Sequence, residues 1–404
     1  MFYTDLKKGG QYERKRVKKQ AIKRYENGEF AKDIYRNLGK SKAWFFKWLK
    51  RSKLEGENWS QSQSHKPHKN PQRMDKNMEQ KIIDIRKHLE NTLYAQIGAL
   101  AISYQLSKEG IKPPPISTIN KIIKRNNLTR EKIRYIPKGV NYPYLKVKES
   151  NFLHQFDLIG PRYIKNDGRF YSGSVIDVYD RRISINPTRR QSKIDMAHTL
   201  NGSWRTMGIS RYLQMDNILS LRGSNQYPHS LGLVIRLCLY LDIQPIFIPI
   251  REPWRNGIVE HFQNVFDKMF FRAQYFKDFA YLCQQAKDFE KFHNQNHHYS
   301  TIGGMTPNQK FKGKMKLLLA SFRFPDKLAI VPGQVHLVRL IRSNRILDIF
   351  GEEYIMPQDV VYEYVWATID TGKEILSIYH DSKLIVEYPY LLPKSSIDLS
   401  RFDL

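Results

Sequence analysis

The chain has 404 residues, with 67 Lys and Arg against 39 Asp and Glu and a formal charge of +28, a balance that attracts a polyanion at physiological salt. No apolar run reaches the roughly 20 residues of a membrane span, since Arg236 interrupts the best stretch, LGLVIRLCLYL, and the start MFYTDLKKGG lacks an apolar signal segment. Cys238 and Cys283 are too few for a disulfide framework or a zinc module, so a cytoplasmic setting and a nucleic-acid partner are expected and a membrane role is not.

The charge is uneven: residues 1–148 hold 35 basic residues against 13 acids, about +22 of the total. Residues 1–56 are expected to form a helix-turn-helix. ERKRVKKQAIKRYENG places Val17, Ala21, Ile22 and Tyr25 on one helical face and stops at Gly28; a short helix spans Phe30 to Leu38; Gly39 turns; Ser41 caps KAWFFKWLKRSK. Trp44, Phe45 and Trp48 can pack inward, leaving Lys42, Lys47, Lys50 and Arg51 for DNA. An ordinary three-helix bundle with a solvated basic face is the competing reading. Residues 57–75 are polar and Pro-containing, as in a linker.

A second helix-turn-helix or winged-helix unit is expected over 76–128: MEQKIIDIRKHLEN, then IGALAISYQLSKEG ending at Gly110, then a short basic helix capped by Ser117 with Lys121, Lys124 and Arg125 as backbone contacts. Residues 129–148, with Pro137 and Pro143, read as a basic, extended tether along DNA.

From 149 to 312 the pattern changes. FLHQFDL and RFYSGSVIDVYDRRISINPTR read as three strands with NDG at 166–168 as a hairpin signal, followed by a helix near Asp195–Met207, the strand RYLQMD, a helix near Pro228–Leu241, the strand PIFIPI and a long helix from Ile258 to about Phe271. A β-β-β-α-β-α-β-α order gives a mixed sheet with flanking helices, the pattern of an RNase H-like α/β domain. It sets Asp157 on the first strand, Asp216 at the end of the fourth and Glu260 on the helix after the fifth. Carboxylates are the ligands Mg²⁺ favours, and two such ions about 3.5–4 Å apart serve in-line displacement at phosphorus.

HQFDLIG, LQMDN, EPWRNGIVEHF and FHNQNHHYSTIGGMTPNQKF together resemble the DDE transposases of bacterial insertion sequences, relatives of the retroviral integrase catalytic core. The resemblance covers about residues 150–312. It implies Asp157, Asp216 and Glu260 as catalytic and metal-holding residues, two Mg²⁺ ions with Mn²⁺ able to substitute, and a homo-oligomer on double-stranded DNA. Transposon ends, target DNA and accessory transposition proteins are the implied partners, in a bacterial nucleoid. Departures are the 43 residues between Asp216 and Glu260, Ile218 where Gly is frequent, and His261 where Arg is common. The His/Cys zinc domain of retroviral integrases is absent, and paired helix-turn-helix units take its place.

Other residues compete for roles. Asp177 and Asp180 are the rivals for a metal role but are expected to pair structurally with Arg181 or Arg182, and His297 and His298, the other candidate metal ligands, are expected to touch DNA or the sheet edge. Trp254, Arg255 and Asn256 either enter DNA or pack; Asn264 and Lys268, one and two turns past Glu260, either touch DNA or are solvated. Residues 326–392 alternate in short strands with DTG and HDSK turns, the expectation being a separate small SH3-like β-barrel. The reading that results is a transposase; a DNA-binding regulator with an idle core and a nuclease without strand transfer are the alternatives.

Overall fold

The computed structural model describes residues 16–54, 59–60, 74–129, 141–313, 315–402 and 404. The chain divides into two compact units, Met1–Met74 and Asp75–Leu404. Most of the 57–75 linker and Pro137 of the tether lie outside the described residues.

In the first unit, α1 (16–26), α2 (Ala31–Asn37) and α3 (Lys42–Leu54) enclose Ala21, Ile22, Ile34, Phe45 and Leu49. The Ser41 hydroxyl accepts from the Trp44 amide at 3.1 Å, capping α3 as expected. Tyr25 is 37% exposed, yet its ring meets Phe45 edge-on at 5.6 Å. Trp48 is buried with the Lys18 ammonium 3.6 Å from its ring and the Arg51 guanidinium at 4.8 Å. Lys42, Lys47 and Lys50 are exposed and Arg51 is half-buried.

The second unit begins with α4 (Lys76–Glu90), α5 (Ala99–Lys108) and α6 (Ile116–Arg125). Asp75 caps α4 by accepting from the Asn77 and Met78 amides. Ser117 does not cap α6. The proline run holds the entry extended as far as Pro115, so the helix begins at Ile116 and Pro115 is its N-cap. Lys121 and Lys124 are exposed, whereas Arg125 donates through Nε to Glu79 at 2.6 Å and is held by an ion pair within the unit. Among the described residues 76–128 carry no strand, hence no wing.

The sheet follows. β1 (Leu153–Ile164), β2 (Gly168–Asp177) and β3 (Ile183–Thr188) form an antiparallel meander, its first turn carrying Asn166 and Gly168 at positive φ. α7 (Lys193–Met207), started by the Ser192/Asp195 capping box, crosses to β4 (Tyr212–Met215) beside β1 and parallel to it. Only glycine fits at 173 on β2, because a Cβ there would stand 2.2 Å from Thr199 of α7. A short turn α8 (Leu219–Arg222) and α9 (Leu233–Tyr240) lead to β5 (Gln244–Phe247), parallel to β4. Then come α10 (Gly257–Val265), a π-helical turn at Phe266–Phe271, and α11 (Phe279–Asn296). This is the expected β-β-β-α-β-α-β-α order. Alternation sorts the faces: Phe156 packs in the core with Leu200 of α7 and Leu237 of α9, whereas Ile159 packs with Val259 and Phe262 of α10 and Phe289 of α11.

The C-terminal strands differ from the expectation of a separate barrel. After α12 (Pro307–Lys310) and β6 (Lys327–Ala329), β7 (Gln334–Leu340) lies parallel to β5 through Ile246↔His336 and Phe247↔Leu337. β10 (Tyr364–Asp370), β11 (Ile375–His380) and β12 (Lys383–Pro389) continue outward, giving one nine-stranded sheet in the order β12-β11-β10-β7-β5-β4-β1-β2-β3. β8 (Ile346–Ile349) pairs only with β9 (Glu352–Ile355), and β13 (Ser396–Asp398) with β6. The physical reason is a shared core: Val335, Leu337, Val365 and Ile378 belong to the same buried cluster as Phe247 and Leu213.

Candidate active site

Asp157 stands on β1 with its side chain on the α10 face, because Phe156 and Leu158 pack on the other side. Its Oδ1 accepts from the Leu158 amide at 2.8 Å and its Oδ2 from the Gln263 amide nitrogen at 2.6 Å. Asp216 follows β4 and accepts from the Ile218 amide at 3.2 Å. Glu260 occupies the first turn of α10. Burial pushes the Asp157 carboxyl up to about 6, and the charges of Asp216 and Glu260 act in the same direction against the Leu158 and Gln263 hydrogen bonds. Burial also raises Asp216 and Glu260. Asp157 thus feels the charges of two acids that come from distant segments of the chain.

α10 is aimed by Gln155 and Gln214, which lie outside the acidic motif, and by Asn256. Gln155 and Gln214 are register partners in the β1/β4 ladder, each two residues before its aspartate and so on the same face. The Gln155 Oε1 accepts from the Ile258 and Val259 amides at 3.2 and 3.1 Å, satisfying first-turn donors of α10. Gln214 donates to the Arg255 carbonyl at 3.0 Å and to Asn256 Oδ1 at 3.2 Å, and buried Asn256 donates to the Phe156 carbonyl at 2.8 Å. The available sequence signal was a glutamine at the same offset before both aspartates.

A groove of about 310 Å³ runs beside Glu260, lined by Ile159, Arg162, Glu260, Gln263, Asn264 and Asp267. Its helical face is Glu260, Gln263 and Asn264 of α10 with Asp267 of the π-helical turn, while Lys268 is exposed outside that lining. Arg162 pairs with Asp267 at 2.9 Å across the groove.

The chain's own groups hold several residues expected at DNA. Arg255 is not free for it: its guanidinium lies 4.0 Å from the Tyr142 ring, pairs with Glu252 at 2.9 Å and donates to the Tyr364 hydroxyl at 2.9 Å. Asn256 is structural, and Trp254 is 59% exposed. Asp180 pairs with Arg182 at 3.0 Å. Burial opposes ionisation of Asp177, but His154 and the Asp180 and Asn151 amides hold its carboxyl below the usual range. His297 and His298 are buried; Gln96 from the α4–α5 loop donates to the His298 carbonyl at 2.9 Å and Tyr104 of α5 lies 4.2 Å from the His298 ring. They dock the second helical unit on the core.

The donor set is carboxylate oxygen throughout, which suits a hard divalent cation. Among the described residues no three His, Cys, Asp or Glu side chains are grouped closely enough to hold a metal, and one oxygen of Asp157 is occupied by Gln263. The chemistry of these donors suits Mg²⁺.

No protein-family model matches the chain, and no curated protein matches it. Among solved structures, the catalytic core domain of HTLV-2 integrase in complex with magnesium is similar over 40% of this chain and 97% of that one, at 14% identity and a TM-score of 0.30. Its trimeric form gives 41%, 98%, 14% and 0.31. A simian T-cell lymphotropic virus intasome in complex with a PP2A regulatory subunit covers 78% of this chain and 99% of that one, at 11% identity and 0.36. These overlaps are too shallow to carry function, which rests on the site's own residues and on a mixed α/β core.

Proposed function

We propose that this chain is a polynucleotidyl transferase acting on DNA, a transposase of the DDE kind. The observation that supports it is that the partly buried Asp157 of β1 has its carboxyl raised by burial and by the charges of Asp216, after β4, and Glu260, at the start of α10. Holding like charges out of water costs stability, and a divalent cation held by the three, Mg²⁺ or Mn²⁺, offsets that cost and supplies Lewis-acid stabilisation of the phosphorus centre. Asp157, Asp216 and Glu260 would hold it. Gln155, Gln214 and Asn256 fix the start of α10, the turn that carries Glu260.

Two in-line displacements use one site. Water attacks the phosphorus at an element end, freeing a 3′-hydroxyl; that hydroxyl then attacks target DNA, expelling another 3′-oxygen. Lys42, Lys47, Lys50 and Arg51 on α3, and Lys121 and Lys124 on α6, serve as the duplex contacts of two helix-turn-helix units, and cutting paired ends calls for further copies of the chain. Asn264, which lines the groove, and the exposed Trp254 would meet the reacting strand. The strands after β7 take the place of an SH3-like barrel.

The test follows Mg²⁺-dependent cleavage and joining of a labelled duplex taken from the DNA flanking the gene. Asp157→Asn, Asp216→Asn and Glu260→Gln abolish both steps while binding persists. Near wild-type cleavage by Glu260→Gln refutes the ligand assignment. Glu252 is then a poor substitute, since Arg255 and the Tyr364 hydroxyl already occupy its carboxylate.

A further inference from the structure

The described part of the tether, residues 141–148, has no regular structure and lies along β10 and β11. Between them is a groove of about 580 Å³ whose walls include Tyr142, Tyr144, Tyr364, Trp366, Tyr379 and Lys146. Trp366 and Tyr379 are cross-strand neighbours, and both are only partly buried. Tyr144 is 72% exposed although it is large and apolar. The inner end is rigid: Tyr142 meets Tyr364 edge-on at 5.2 Å, and the Tyr364 hydroxyl donates to Glu252 at 2.7 Å. From there Arg255 connects to the active-site end of the sheet, its guanidinium donating to the Tyr364 hydroxyl and its carbonyl accepting from Gln214.

Ring faces available in a groove, beside an exposed lysine, bind bases by stacking and backbone phosphate by charge, without reading sequence. A duplex keeps its base faces covered and offers nothing to Tyr144 or Trp366. We propose that this groove holds an unpaired DNA strand next to the reacting end, a role that rests on the transposase reading and adds a single-strand site to it. Tyr144 and Trp366 supply stacking faces, Lys146 a phosphate contact.

The experiment uses the full chain and two fluorescent probes, a 15-nucleotide oligothymidine and a duplex of equal length, with a second oligothymidine carrying 5-iodouracil for photo-crosslinking. Tyr144→Ala and Trp366→Ala are expected to weaken the single-stranded probe by roughly tenfold each and leave duplex affinity unchanged; Tyr144→Phe retains binding. Tyr144 is exposed, so its variant keeps the fold, and circular dichroism checks Trp366→Ala. Crosslinks are expected at Tyr144, Trp366 or Tyr379. Equal loss on both probes, no loss on either, or crosslinks confined elsewhere overturns the proposal. So does a change of oligomeric mass in Tyr144→Ala with single-strand affinity intact, which assigns the groove to a second copy. Failure of the transposase reading shows separately, as wild-type protein that binds the single strand but neither cuts nor joins.

Discussion

Replacing Asp157 by Asn removes a charge from a site where burial and two other acids oppose it. With the folded carboxyl near 6 against about 3.9 when unfolded, ionisation on folding costs roughly two pKa units, or about 3 kcal/mol at pH 8. The sign follows from the raised value: the neutral form is favoured in the fold, so stability is fully present below the unfolded value and lost as pH rises through about 6. Asp157→Asn therefore stabilises the metal-free chain by up to about 3 kcal/mol at pH 8, by about half that at pH 5, and by almost nothing below pH 3.8. Loss of the hydrogen bond from Gln263 subtracts about 1 kcal/mol unless its amide flips to donate nothing and accept from Asn. Urea denaturation of wild type and variant at pH 8 and pH 5, in chelator, measures the gap. Adding Mg²⁺ stabilises wild type and not the variant. A gap that does not change with pH refutes the claim that the carboxylate is held against its charge.

Gln155→Leu leaves the Ile258 and Val259 amides without their acceptor, so it is expected to cost about 1–3 kcal/mol and abolish cleavage while duplex binding persists; unchanged cleavage rules out the clamp. Burial holds His297, which with His298 meets the α4–α5 loop, down to about 2, so stability present above 6.5 is lost as pH falls below it, by about 2 kcal/mol at pH 5. Hydrogen exchange at residues 94–98 should then rise first, and protection there unchanged between pH 7 and 5 argues against docking through these histidines. Lys42→Ala, Lys47→Ala and Lys50→Ala are each expected to weaken duplex binding uniformly and reduce the salt slope by about 1; a slope that stays fixed places the contacts elsewhere.

The core was legible because its signals are local. Alternation in HQFDLIG and SGSVIDV, the NDG turn and the acid after each apolar strand need no knowledge of distant packing, and the observed β1 to α10 order follows them. Pairing was less legible. Nothing near Arg255 in sequence announces Tyr142 and Tyr364, and nothing near Arg125 singles out Glu79 as its partner 46 residues away. Long side chains of either sign choose partners after the chain has folded, so a count of cations does not tell which of them the fold already pairs. The same holds for His297 and His298, whose burial depends on Gln96, some 200 residues earlier. Strand existence in the tail could be read from period two, but sheet membership could not, because alternation fixes which side faces a core and not which neighbour a strand finds.

That membership changes what can be cut from the gene. β7 covers the open edge of β5 and brings Val335 and Leu337 into the cluster around Phe247, so a stop codon near Asp326 does not detach an appendage. It strips a hydrogen-bonding edge and half of a hydrophobic layer, leaving a template for strand addition between chains. Residues 75–404 form one compact unit, so a transplant must carry them as one piece, and fragments ending before β7 are expected to survive only where another polypeptide supplies the missing strand.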